Sequence, residues 1–533
     1  MRARLASLTA TALIAAACGA PAAPASSVAP PSASPTAAFR PSPSPAATAA
    51  PPASPTPAVA GHWEAAGTMH LGRLAPHVVP LADGHVLVVG NDAGLCIRAN
   101  SVQTEVWSPA TTDETAGWSW WQTALAKPRA DFVAMPLKDG RVLVSGGVDP
   151  GSRSAAYWST TNQTTAGSPI GGDHRSYSST FIYAPRSETA GWSRAGSLGT
   201  ARTAPAAAVL LDGRVLVAGG YYLGRAAIRP GPGSAIVLAA YRPGPILFNG
   251  PPEPDMVPSL ATVELYDPAT DAWSVTGPMH YARVAPGAVT LADGRVLVVG
   301  SSVDALEWRP QWNYTQADVA GRAYETAELY DPRTGRFTLT GGLPAVEVQL
   351  KAGLALDFSS IQRLGTLVAL ADGGALIVGR TESGEWYDGE RSGYVTVVRT
   401  LRLEPITGAW TEIDRSVQAD DGSGSFQTVV SGRVNPGAVV VALDDGLVLV
   451  AGGQPIDAGL ATDAAALYDP ATGTWTALPP MPEHRAGGTA VALPDGSALL
   501  VGGYYEPTSA EFIPDCEEGP TGLASTVRFV PGP

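Results

Sequence analysis

The 533-residue chain is poor in the residue types that usually betray a reaction: it has three cysteines, seven histidines and six methionines, and only 15% of its residues are charged. So few cysteines exclude a disulfide-built scaffold. The histidines stand at 62, 70, 77, 85, 174, 280 and 484, and no pair has metal-ligand spacing on one element. No metal or other cofactor is therefore expected. A Gly-rich phosphate loop, a nucleophile elbow and a zinc motif are all missing. Basic residues are scarce too, with 34 Lys and Arg against 48 Asp and Glu and a formal charge of −14. Nucleic acid needs a basic face, so it is not an expected partner.

Long apolar runs are also lacking. The run Leu5–Ala17, behind Arg2 and Arg4, is too short to span a bilayer and has the length of a signal-peptide core. It closes in Ile14-Ala15-Ala16-Ala17-Cys18-Gly19, which resembles the bacterial lipobox, with Ala15 where Leu is commoner. That resemblance implies a signal peptide over 1–17, lipidation of Cys18, and anchoring to the outer face of a bacterial membrane, or release outside the cell, with the lipid as the only membrane contact. A plain secretory signal with Cys18 incidental is the other reading. Residues 18–60 are almost wholly Pro, Ala, Ser and Thr, a composition that cannot bury a core and reads as an extended tether.

Glycine (60) and proline (48) are abundant, which argues for an all-β, turn-rich chain. One phrase organises it: an apolar run, Asp-Gly, a Val/Leu/Ile run, then usually Gly-Gly. Copies centre on Asp83-Gly84, Asp139-Gly140, Asp212-Gly213, Asp293-Gly294, Asp372-Gly373, Asp445-Gly446 and Asp495-Gly496. Asp-Gly favours the hairpin turn whose two central residues take positive φ. Each hairpin leads to a third strand ending like Leu265-Tyr266-Asp267-Pro268 and a fourth carrying an aromatic such as Trp273; Tyr330 with Phe337 and Tyr468 with Trp475 repeat the pair. Weaker copies place Trp107 with Trp118, Tyr183 with Trp192, and Leu403-Glu404-Pro405 with Trp410.

Four strands per repeat, Gly-Gly after the second and an aromatic pair across the third and fourth resemble the kelch repeat of β-propellers. The resemblance covers 61–533 and implies a seven-bladed propeller, an expected monomer. Ser509–Pro514 reads as the third strand of blade 7, and His62–Gly67 as the fourth, closing the ring from the N-terminus; Ser525–Val530 is left as an added outer strand. Closure would bring Cys96 near Cys516, a candidate disulfide.

Alternating strand directions put the Asp-Gly turns on one face and every long connection on the other, at about Val148–Ser179, Tyr221–Ala261 and Ser301–Glu325. An arginine precedes each first strand: Arg73, Arg129, Arg202, Arg283, Arg363, Arg433 and Arg485, the fifth and sixth being off the common spacing to the turn Asp. They either converge at the channel mouth on an anionic ligand or fasten loops to the disc. Aromatics beyond the repeat's own are Tyr221, Tyr222, Tyr241, Trp308, Trp312, Tyr314, Trp386, Tyr387, Tyr504 and Tyr505, suited to stacking on a sugar or anchoring a protein, or to packing the loops. Phrases such as Ala201-Arg202-Thr203 also resemble galactose oxidase, whose copper-ligand His follows such an Arg by three. Those positions here are Pro76, Pro205, Pro286 and Gly488. A metal-free enzyme like the kelch-type sialic acid epimerases stays open, as does a structural envelope scaffold. The expected function is a binding module for a glycan or protein ligand, without catalytic residues.

Overall fold

The computed structural model describes residues 61–90, 103–109, 117–120, 125, 129–148, 176–185, 191–222, 260–283, 285–300, 326–346, 355–387, 392–420, 426–430, 432–455, 460–505 and 522–532. They lie in one compact unit, Pro57–Pro533. Its strands form seven antiparallel sheets, six of four strands and one of six, with no helix among the described residues. The first strands of successive blades touch in a closed cycle that includes blade 7 against blade 1. The protein is a seven-bladed β-propeller.

Blade 3 shows how the repeat folds. Its strands are Ala206–Val209, Val215–Ala218, Val263–Asp267 and Ala272–Val275, hydrogen-bonded in that order. The second strand is completely buried, because neighbouring blades cover both of its faces, and hence it reads as an unbroken apolar run. The fourth strand faces solvent along much of its length. Blades 1 (77–120), 2 (133–194), 4 (287–339) and 6 (439–477) follow the same plan. Side chains from adjacent blades fill the space between them: Leu216, Ala218 and Val263 of blade 3 pack with Val296, Val298 and Tyr330 of blade 4. Tyr266 meets Trp273 with ring centroids 5.2 Å apart, and Tyr183–Trp192, Tyr330–Phe337 and Tyr468–Trp475 repeat that tilted pair.

The first turn differs from the sequence expectation. Only the glycine of Asp212-Gly213 is left-handed (φ +93°); its N–H donates to Leu210 O at 2.9 Å, and Leu210 N–H donates to Arg214 O at 2.8 Å. This is a four-residue turn followed by a glycine bulge, with the Asp212 carboxylate accepting from Arg214 N–H at 3.0 Å. The aspartate's side chain holds the turn and its backbone need not enter the left-handed region. The same glycine-to-leucine bond closes all seven turns, from Gly84 to Leu81 through Gly496 to Leu493.

Blade 7 confirms the closure and corrects the strand it uses. Its order is Thr489–Ala492, Ala498–Val501, Leu523–Pro531 and then Gly61–Arg73. The N-terminal strand is the fourth, as expected, but the third is 523–531, so Ser525–Val530 lies inside the blade and is no outer addition. Phe529 stands where blades 2, 3, 4 and 6 carry Tyr, and pairs with Trp63 at 5.1 Å. Ser509–Pro514 lies outside the described residues, as do Cys18, Cys96 and Cys516.

Candidate functional site

The two faces of the disc are built differently. On the turn face, Asp139–Arg141, Asp212–Arg214 and Asp293–Arg295 pair at 2.6–2.7 Å within each turn. Arg141 also donates to Pro268 O of the next blade at 3.0 Å. Two hollows there measure about 110 and 210 Å³, the larger lined by Leu339 and Ile406. Both are smaller than an ordinary small-molecule pocket.

The opposite face begins with the turns that lead into the first strands. Asp131, Ala204 and Ala285 occupy equivalent places there, all at positive φ (54°, 47° and 44°), a strained backbone for residues other than glycine. Gly487 fills the same place in blade 7 at +71°. Next to them, His77 packs on Phe132 across the first strands of blades 1 and 2, ring centroids 4.1 Å apart. Burial pushes its imidazole down to about 4.

Two positions before each of these four positive-φ residues stands an arginine, and Arg73 takes the same place in blade 1. Arg73, Arg129, Arg202, Arg283 and Arg485 have no accessible surface. Arg202 donates from Nη1 to Gly219 O and Thr262 O, both at 3.0 Å, and from Nη2 to Glu264 Oε1 at 2.6 Å. Glu264, buried on the third strand, also accepts the N–H groups of Gly199 (2.6 Å) and Thr200 (3.1 Å). Each arginine thus staples the lead-in loop, the second strand and the third. Arg73 with Glu105 and Arg283 with Glu328 repeat the unit, both pairs at 3.1 Å. These two glutamates also take Nδ1 of His70 (3.0 Å) and His280 (2.7 Å). In blade 2 the glutamate's place is Phe181, and Arg129 lies over the Tyr177 and Phe181 rings at 5.1 and 4.9 Å. Burial lowers its guanidinium to about 10. Arg485 uses Glu483 at 3.4 Å and is lowered likewise to about 10 by burial.

Blade 6 departs from the staple, as its irregular spacing foreshadows. Arg433 is exposed, with only its backbone N–H bonded, to Asp414. Arg363 ends the strand Ala355–Arg363, paired with Thr381.

Of the aromatics, Tyr221 and Tyr504 each follow a Gly-Gly pair and bridge to the lead-in turn of their own blade, at Thr203 and Ala486. Burial raises the Tyr221 phenol above its ordinary value. Tyr504 donates from its hydroxyl to Gln454 Oε1 of blade 6 at 3.2 Å. Tyr222 is part-exposed, and Tyr505 is 40% exposed, its ring edge-on to His484 at 5.5 Å. Trp386 and Tyr387 lie on an extended strand of blade 5. Tyr241, Trp308, Trp312 and Tyr314 fall outside the described residues.

No protein-family model matches the chain, and no curated protein matches its sequence.

One construction on this face was not anticipated. Blade 5 runs far past the others: Ala375–Tyr387 and Ser392–Leu403 form its second and third strands, joined by Trp410–Asp420, Phe426–Val430 and Ala355–Arg363. Tyr387 and Ser392, the facing ends of the second and third strands, lie on the long-connection side, so a five-stranded wall stands there. Inside it, Arg380, Arg399 and Arg415 are directly opposite one another on adjacent strands. Like charges in register repel, and carboxylates intervene: Glu382 bonds Arg380 (2.5 Å) and Arg399 (2.9 Å), and Glu412 bonds Arg399 (3.3 Å) and Arg415 (2.5 Å). The alternation in Tyr394–Leu403 and the Arg replacing a second glycine in Val378-Gly379-Arg380 were the available signals.

Proposed function

We propose that the chain is an exported, lipid-anchored propeller that binds a glycan or protein ligand on its long-connection face. The asymmetry of the two faces carries this reading. Tight turns and intra-turn ion pairs close one side, whereas the other holds the strained lead-in turns, the exposed Tyr505 and the wall of blade 5. Backbone strain and exposed aromatics kept on a rigid framework are features of binding surfaces. The kelch-like repeat supports the reading as a fold that presents loops, not as a guide to the ligand. The five buried arginines serve in it as framework.

The test is thermal stability of the full chain against uncharged oligosaccharides, sialylated sugars and acidic peptides, because a ligand that binds only the folded state raises Tm. A shift abolished by changes at Tyr222 or Tyr505, and kept after Leu211→Ser or Ile406→Ser on the turn face, supports it. No shift with any probe, or one lost only with the turn-face changes, overturns it. Anchoring is checked separately: metabolic labelling with a fatty acid should mark the protein and should fail after Cys18→Ser.

A further inference from the structure

Deepening that reading, we infer that two tyrosine pairs on opposite sides of the channel mouth are matched platforms for one linear, uncharged glycan chain. The phrase Gly-Gly-Tyr-Tyr occurs twice, at 219–222 and 502–505, in blades 3 and 7. Blades 1 and 2 lie between them one way round the ring and blades 4, 5 and 6 the other, so the pairs face each other across the channel.

Both pairs are built alike. The two glycines are left-handed in each, at +67° and +86° in blade 3 and +69° and +102° in blade 7. This brings the first tyrosine onto the lead-in turn: Tyr221 and Thr203 exchange backbone bonds at 2.8 and 2.9 Å, Tyr504 and Ala486 at 3.0 and 2.8 Å. The first tyrosine is thereby a support, and the second follows it, part-exposed at Tyr222 and 40% exposed at Tyr505. In blade 7 the support is tight, since a Cβ on Gly487 would come within 2.9 Å of the Tyr504 ring. The exposed Tyr505 is fixed as well: its carbonyl accepts Ala461 N–H at 3.0 Å, and His484 beside it is held by Ala461 O at 3.0 Å. A 40% exposed aromatic on a bonded backbone, its ring edge-on to His484, loses little entropy when a ligand stacks on it. Asp463, whose carboxylate lies 3.8 Å from His484 Nε2, adds acceptors for hydroxyl groups beside the ring.

Two observations choose the ligand's chemistry. The guanidiniums of Arg73, Arg129, Arg202, Arg283 and Arg485 are buried and bonded within the blades, so five of the forks that would select an anion do not reach this surface, and Arg433 of blade 6 stands exposed without others beside it in the lead-in turns of blades 1, 2, 3, 4 and 7. The platforms, moreover, are separated by the channel, so a single sugar reaches one and only a chain reaches both. β-1,4-linked pyranoses with equatorial substituents present flat C–H faces at regular intervals, which is what two separated aromatic rings can read.

The inference rests on the binding role proposed for this face, and a length series separates the two. Oligomers of β-1,4-linked glucose and of N-acetylglucosamine, from dimer to octamer, are titrated into the full chain by calorimetry. Affinity should rise steeply once a chain spans both platforms, because the second contact becomes intramolecular. Tyr505→Leu and Tyr222→Leu should each weaken the longest oligomer about tenfold and leave the dimer's affinity unequally affected, since each removes one of two independent sites. Tyr505→Phe should retain binding. Equal affinity at all lengths, or unchanged binding in both leucine variants, overturns the paired platforms while the face keeps a binding role. Stabilisation by an acidic peptide with neither oligomer series binding overturns the glycan and keeps the face. Failure of every probe removes the binding role itself.

Discussion

The staple in blade 3 offers the sharpest test of what holds the blades together. Glu264→Leu removes the carboxylate that takes Arg202 Nη2 at 2.6 Å and the backbone N–H groups of Gly199 and Thr200. It leaves a guanidinium with no accessible surface facing an apolar side chain. Removing one partner of a buried ion pair costs about 3–5 kcal/mol, because the remaining charge keeps its desolvation penalty without its attraction. For a folded unit such as Pro57–Pro533, an unfolding entropy near 2.1 cal/mol/K per residue amounts to about 1 kcal/mol/K, so the expected fall in Tm is about 3–5 °C. Calorimetry on the full chain reads this directly, provided one cooperative transition is seen. Arg202→Met in the Glu264→Leu background should recover at least half of the loss, since no buried charge then remains. A single variant within about 1 °C of the parent, or a double variant as unstable as the sum of the singles, would refute the staple as the unit of stability.

Four other expectations follow from the same geometry. The native His77 imidazole refuses a proton that the unfolded chain binds between about pH 6.5 and 4, so its contribution is complete above pH 6.5 and is lost as pH falls towards 4. The loss is about 3 kcal/mol at most, a ceiling because the residue as a whole is only half-buried, and His77→Phe should flatten that limb of the pH–Tm curve. Ala204→Gly and Ala285→Gly, which relieve a positive φ, should each stabilise by about 1 kcal/mol in urea unfolding; a loss would show that the backbone there is not strained. Gly487→Ala should destabilise and quench the Tyr504–Gln454 contact, seen as a changed tyrosine signal in near-UV circular dichroism. Trp63→Ala, losing the Phe529 contact and the 2.8 Å bond from its indole to Pro479 O, should cost about 2–3 kcal/mol, less than a fully buried Trp because the residue is part-exposed; a cost under about 1 kcal/mol would mean the last strand does little to close the ring.

The propeller was legible because its repeat is written in residues with narrow backbone roles. A glycine that must be left-handed and an aspartate that caps its own turn recur at every hairpin, and Tyr266–Trp273 or its equivalent marks the outer strands. Where a residue was exchanged within its type, the reading slipped: Phe529 in the tyrosine's place hid the third strand of blade 7 behind Ser509–Pro514. The length of blade 5 was obscured because alternation in Tyr394–Leu403 identifies a strand without saying how far its partners accompany it. The ambiguity of the arginines had a further cause. Glu105, Glu264 and Glu328 stand two residues before the third-strand aromatic, on the buried face of an apolar strand, where a carboxylate needs a cation; spacing along the chain does not say that the cation comes from the loop of the same blade. For the tyrosines, sequence gives the doubled phrase, and only the fold sets the two copies across a ring.

The strand Gly61–Arg73 is the first part of the ring to leave the ribosome and the last to find its place, for Glu64 meets Arg528 across 464 positions of chain. Leu523–Pro531 must therefore be made before the circle can shut, and until then Gly61–Arg73 waits without its partner strand. A permuted gene that begins at blade 1 and carries residues 61–73 behind residue 533 on a short linker would turn this distant meeting into a local hairpin. Such a chain should refold faster and aggregate less while its finished disc stays the same, so the seam is a debt of gene order and not of architecture.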